Sequence, residues 1–126
     1  MKARPATIPL GLTLLVMDSL IWLILGVLIA TGLHPSLPDP LWIRVAMVIL
    51  SWMAAAALLA AYLGLTRHMR LAYPWAILSL AIASLTIIFD DFGLSDLIVL
   101  ILHLMPLALL IKDHAWYAPR TEAVAR

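Results

Sequence analysis

The sequence predicts an all-α integral membrane protein, a four-helix up-down-up-down bundle. Three observations carry this. Of the 126 residues 65% are hydrophobic and only 12% are charged, whereas a soluble domain averages about 45–50% apolar and about 25% charged. Four long apolar stretches follow one another, separated by short polar or proline-rich breaks. Those breaks are short enough to force neighbouring helices to run antiparallel. The length admits one four-span domain over residues 1–126.

Residues 1–9 (MKARPATIP) are basic, and Pro5 and Pro9 are expected to keep the first helix from starting earlier. The first segment runs over about 10–33, with Asp18 its only charged residue. It is longer than the about 7–15 residues of a signal-peptide core and carries a central acid, so a retained transmembrane helix is expected. Residues 34–40 (HPSLPDP) hold three prolines and form a turn. The second segment, about 41–65, carries Ala57, Ala61 and Gly64, small residues that let a neighbouring backbone approach. After the basic loop 66–70 comes the third, about 71–89, with Pro74 in its first turn where a missing N–H costs little. The fourth occupies about 93–112; Ser95 is the expected N-cap, and Asp96 suits the positive end of the helix dipole. A polar tail, 113–126, follows.

Lysine and arginine set the expected orientation. Lys2, Arg4, Arg67, Arg70, Lys112, Arg120 and Arg126 fall on one side and Arg44 alone on the other. The positive-inside rule then puts both termini in the cytoplasm of a multi-pass protein of the cell membrane. Trp42, Phe89 and Phe92 fit an outer aromatic belt, and Tyr62, Tyr73, Trp75, Trp116 and Tyr117 an inner one.

Asp18 and His103 are the two deep ionisable residues. Asp18 lies ~12 Å from the inner end of its segment and His103 ~13 Å from the inner end of the fourth. The first and fourth helices of such a bundle are adjacent, so the two side chains are expected to meet inside. That pair reads as a structural tie or as a proton relay. Pro106, three residues after His103, frees the carbonyl of Leu102 and favours a bend there. Polar columns are expected to face inward: Ser79, Thr86 and Asp90; Arg44, Ser51 and Tyr62; Asp96, His103 and His114. Arg44 with Asp90, Asp91 and Asp96 forms an outer charge cluster, read as a lid pinning the loops, with cation binding by the acids as a lesser alternative.

The sequence contains no cysteine, which removes thiol–disulfide exchange and cysteine-based metal sites. The basic residues form no patch, so no nucleic-acid partner is expected. No cofactor or metal is called for; a haem or chlorophyll-type pigment at His103 is a minor alternative. No nucleophile–base pair or phosphate loop is evident, so no enzymatic activity is expected. The partners expected are the lipid bilayer and either other membrane subunits or further copies of the chain, an accessory or scaffold role. The alternative is a proton-coupled small-molecule carrier or channel using Asp18 and His103. Length, four spans and one acid in the first helix resemble the small multidrug-resistance transporters. The acid here is aspartate, however, the later helices carry no matching motif and the charge bias is strong, so membership is not claimed.

Overall fold

The computed structural model describes residues 5–35, 40–88 and 93–117. Four main helices, α1 (Thr7–Thr31), α2 (Leu41–Thr66), α3 (Ala72–Ile88) and α4 (Leu94–Lys112), pack as an up-down bundle, followed by a short α5 (His114–Tyr117). Each main helix neighbours the next and α4 returns to α1, closing the ring; α1 packs most extensively against α2. The start of α1, the α2–α3 loop and the end of α4 share one end of the bundle, called here the terminal end.

Helix ends differ from the sequence reading for identifiable reasons. α1 begins at Thr7, so Pro9 lies inside its first turn rather than before it. The first N–H groups of a helix have no internal partner, and a proline there forfeits nothing. Gly32 ends α1 in the left-handed conformation (φ 77°), and Leu33 N–H donates to the Leu28 carbonyl at 2.9 Å. α2 ends similarly, but a non-glycine residue, His68, takes the left-handed position (φ 54°), with Met69 N–H donating to Gly64 O at 2.9 Å. The N-cap of α4 is Gly93, not Ser95. Asp96 then falls on the third helical residue, and its carboxylate reaches back to accept from Gly93 N–H at 2.8 Å. Residues 114–117, expected in a polar tail, instead form α5. Trp116 and Tyr117 fold back against the core, and Tyr117 stacks on Tyr73 at 5.8 Å.

The core is made of Ile8, Leu12, Leu15, Leu58, Ala61, Leu65, Ala72, Ala76, Leu80 and Leu110. Small residues set how closely the helices approach. Ala61 and Gly64 are buried, and a Cβ on Gly64 would lie 2.8 Å from Ala72 Cβ, so α2 and α3 touch backbone to backbone here. Ala57 is half-buried and its carbonyl accepts from the Trp75 indole at 3.1 Å. The alanine–glycine stripe of α2 therefore packs mainly inside the bundle. On α1, Gly26 makes room for the Trp52 indole of α2, while a Cβ on Gly11 would meet Leu109 of α4 at ordinary contact distance, 3.6 Å.

Outside the core the surface is strongly apolar. Leu20, Leu23 and Ile24 on α1, Ile49, Leu50 and Met53 on α2, Leu78, Ile82 and Leu85 on α3, and Ile98, Ile101 and Leu104 on α4 are all exposed. α1, α2 and α4 are long and apolar enough to cross a membrane; α3, at 17 residues, is shorter.

The glycine geometry gives a paired prediction. Gly64→Ala should lower unfolding stability by roughly 1–3 kcal/mol, because the added methyl meets Ala72. Gly11→Ala should be neutral or stabilise by roughly 0.5–1 kcal/mol, since it gains helix propensity without a clash. Thermal unfolding of both variants in one detergent measures the contrast.

Candidate functional site

α1 is the element that gathers polar side chains. Asp18, Ser19 and Trp22 lie within four residues, so one helical turn turns all three towards neighbouring helices. Asp18 is 1% exposed and Ser19 7%, both inside a bundle wall that is otherwise apolar. Ser19 donates to the Ala55 carbonyl of α2 at 2.8 Å, across the α1–α2 seam. Trp22 crosses the other seam: its indole N–H donates to Nε2 of His103 on α4 at 2.7 Å. The two rings meet edge to face, centroids 5.9 Å apart and planes at 84°.

His103 is fully buried. An indole N–H can only donate, so Nε2 must present its lone pair and the ring proton must sit on Nδ1. Nδ1–H donates to the Val99 carbonyl one turn back in α4 at 2.8 Å. Asp18 Oδ1 lies 3.7 Å from the same Nδ1, too far for a hydrogen bond. In this arrangement His103 is therefore a neutral imidazole beside a carboxyl group, not one half of an ion pair. Asp18 Oδ2 and Ser84 Oγ are buried without a hydrogen-bond partner among the described residues.

Asp18 and His103, expected to meet inside, do lie side by side. Trp22 was not anticipated, although an indole one turn from a buried acid is visible in the sequence. Ser84 was not anticipated either. It lies five residues after Ser79, which is half-buried. Thr86, placed in the inward column, is largely exposed and donates to the Ala83 carbonyl of its own helix at 2.8 Å. Ser51 is buried and Tyr62 half-buried, whereas His114 is exposed on α5 and leaves the His103 column. Pro106 is buried inside an α4 that continues to Lys112.

At the opposite end Arg44 is half-buried and Asp96 caps α4. Asp39, Asp90 and Asp91 lie outside the described residues, and with them the expected pairing to Arg44. Among the described residues no three of His, Cys, Asp and Glu gather as metal ligands. Both nitrogens of His103 are engaged, so the ring offers no lone pair to a haem iron or pigment magnesium in this arrangement. A hollow of about 160 Å³ lies at the terminal end between Ile8, Leu12, Leu65, His68, Trp116 and Tyr117. Its nearest lining residue on α1, Leu12, precedes Asp18 by six residues, ~9 Å along the helix.

Compared with protein-family models, with curated proteins and with solved structures, the chain matches none.

A mutant cycle tests the α1–α4 link. Trp22→Phe and His103→Leu should each destabilise, by roughly 1–3 kcal/mol, because the first leaves the buried Nε2 of His103 without a donor and the second leaves the half-buried Trp22 N–H without an acceptor. The double variant strands neither, so it should cost less than the sum by roughly 1 kcal/mol or more. Unfolding of the four proteins in one detergent gives the coupling.

Proposed function

We propose that the chain is a small polytopic membrane protein that crosses the bilayer four times and acts, without enzymatic activity, as an accessory or scaffold subunit. The distribution of side-chain size carries the reading. Among the described residues, five of the fifteen buried apolar ones are alanines, while thirty large apolar side chains are exposed. A protein in water arranges these the other way round. A bilayer makes the outer surface favourable, and small residues inside then allow close helix contact.

Topology supports the fourth crossing. α2 and α4 run parallel, so if both cross, the chain between them must cross back, and α3 is the segment that does so. Its 17 residues span ~25 Å of a hydrocarbon layer of ~30 Å, with residues 89–92 still to follow. The lysine and arginine bias supports a cytoplasmic terminal end.

The partner is another membrane subunit or a further copy of the chain. Because Ala61 and Gly64 are consumed inside, the outward small residues are Ala56 and Ala60, four apart on the exposed face of α2 between Met53 and Leu63. That face suits close contact with an external helix. His103 supports the non-enzymatic reading: its Nε2 is committed to Trp22, and Ser19 is committed to the Ala55 carbonyl. One observation favours a second reading, a proton-coupled carrier or channel. Asp18 Oδ2 is buried and unpartnered among the described residues, beside a histidine.

Two measurements test this reading. Single cysteines at Ser36, Thr66 and Thr121 should label from outside only at position 36; external labelling of Thr66→Cys refutes the orientation. Purification in mild detergent should yield a fixed complex or a defined homo-oligomer, which Ala56→Leu with Ala60→Leu should disrupt while the helical content stays unchanged. Recovery solely as a lone monomer refutes the scaffold role.

A further inference from the structure

The His103 ring has one place left for a second proton, Nε2, and Trp22 holds it. An imidazolium N–H there would face the indole N–H donor to donor across 2.7 Å. Protonated His103 and the Trp22 hydrogen bond therefore exclude each other. On the Nδ1 side stands Asp18, 3.7 Å away and 1% exposed, with Oδ2 unpartnered among the described residues. A bare carboxylate next to a neutral imidazole in an apolar interior is a costly combination. A carboxylic acid next to that imidazole carries no charge, and a carboxylate next to an imidazolium carries none in sum.

Among the described residues the surroundings offer no competing charge. The buried polar side chains are Ser19 on α1, Ser51 on α2 and Ser84 on α3, and none of these titrates near neutral pH. Tyr62 of α2 and Tyr73 of α3 are half-buried near the terminal end, and Arg44, Asp96, Lys112 and Asp113 lie at the helix ends.

We propose that Asp18, His103 and Trp22 form an internal binding site for a single proton, with Trp22 as its latch. While the indole is bonded to Nε2, the proton sits on the Asp18 carboxyl. When the indole withdraws, the Asp18 O–H bond breaks and its proton passes to water, while a proton from water forms an N–H bond at Nε2 on the other side of the ring, leaving an imidazolium beside a carboxylate. No charge is gained or lost by the interior. The site is that of the second reading above, but it requires neither flux nor a partner, so its test is independent of both.

The test uses the full chain in lipid nanodiscs, labelled with ¹⁵N in histidine and tryptophan, at one pH near neutral. In the unaltered protein His103 should show one protonated and one bare nitrogen, with the Trp22 indole signal at a hydrogen-bonded position. Trp22→Phe removes a bond that stabilises the neutral ring only, so the ratio of imidazolium to imidazole should rise about tenfold, equivalent to one pH unit in the midpoint. Adding Asp18→Asn to Trp22→Phe removes the counter-ion and should return the ring to neutral. Three results would each overturn the proposal: an imidazolium signal in the unaltered protein, an unchanged ratio in Trp22→Phe, or persistence of imidazolium in the double variant. Should Trp22→Phe not fold, infrared difference spectra of the unaltered protein against Asp18→Asn decide. A protonated carboxyl band at Asp18 supports the site, and a carboxylate band there refutes it.

Discussion

The hydrogen bond from the Trp22 indole to His103 is the contact on which the interior depends. It joins α1 to α4, closes the ring of four, and fixes the tautomer of the one histidine buried among the described residues. α1 is the hub because it makes a polar bond and a glycine contact on each side: Ser19 and Gly26 towards α2, Trp22 and Gly11 towards α4. Where lipid surrounds a bundle, burying apolar surface adds little drive for helices to associate, because hydrocarbon lies outside as well. Close approach and satisfied polar groups then carry more of the specificity. Along α1 the two polar bonds, from Ser19 and Trp22, lie between the two glycine contacts, at Gly11 and Gly26.

Much of this arrangement was legible in the residues. Four apolar stretches with short breaks give four helices and their order, and equal depth plus ring closure brings Asp18 to His103. What pattern alone missed was the partner of each polar group. Trp22 reads as one more large apolar residue, because a tryptophan deep in a span announces no donor role until an acceptor lies opposite it. Thr86 was placed in an inward column by periodicity, yet its hydroxyl can serve its own helix, and it does. Ser84 went unremarked for the opposite reason: seven-residue spacing from Ser79 pointed to Thr86, while the buried face runs through Ala76, Leu80, Ala83 and Ile87. The terminal end shows the same limit. Trp116 and Tyr117 fit an aromatic belt by composition, but stacking of Tyr117 on Tyr73 turns part of that belt into core.

The fate of the small residues bears on how the protein meets others. A stripe of alanine and glycine on one helix can face a neighbour in the same chain or in another, and spacing cannot distinguish the two. Here Ala72 and Trp75 of α3 take up Gly64 and the Ala57 carbonyl. The next face round, at Ala56 and Ala60, stays exposed, so α2 carries small residues on both an inner and an outer face.

The buried acid is the feature that packing explains least. A structural tie between two helices needs a donor and an acceptor that meet, and Trp22 with His103 already provides one. His103 spends its remaining proton on Val99, within its own helix, rather than on Asp18. Asp18 thus sits beside the tie without being part of it, one oxygen 3.7 Å from the ring and the other without a hydrogen-bond partner among the described residues. Leucine at that place would fill the space at lower cost. The proton site proposed above gives the acid a use that leucine cannot serve, to take up and give back a proton within reach of the imidazole.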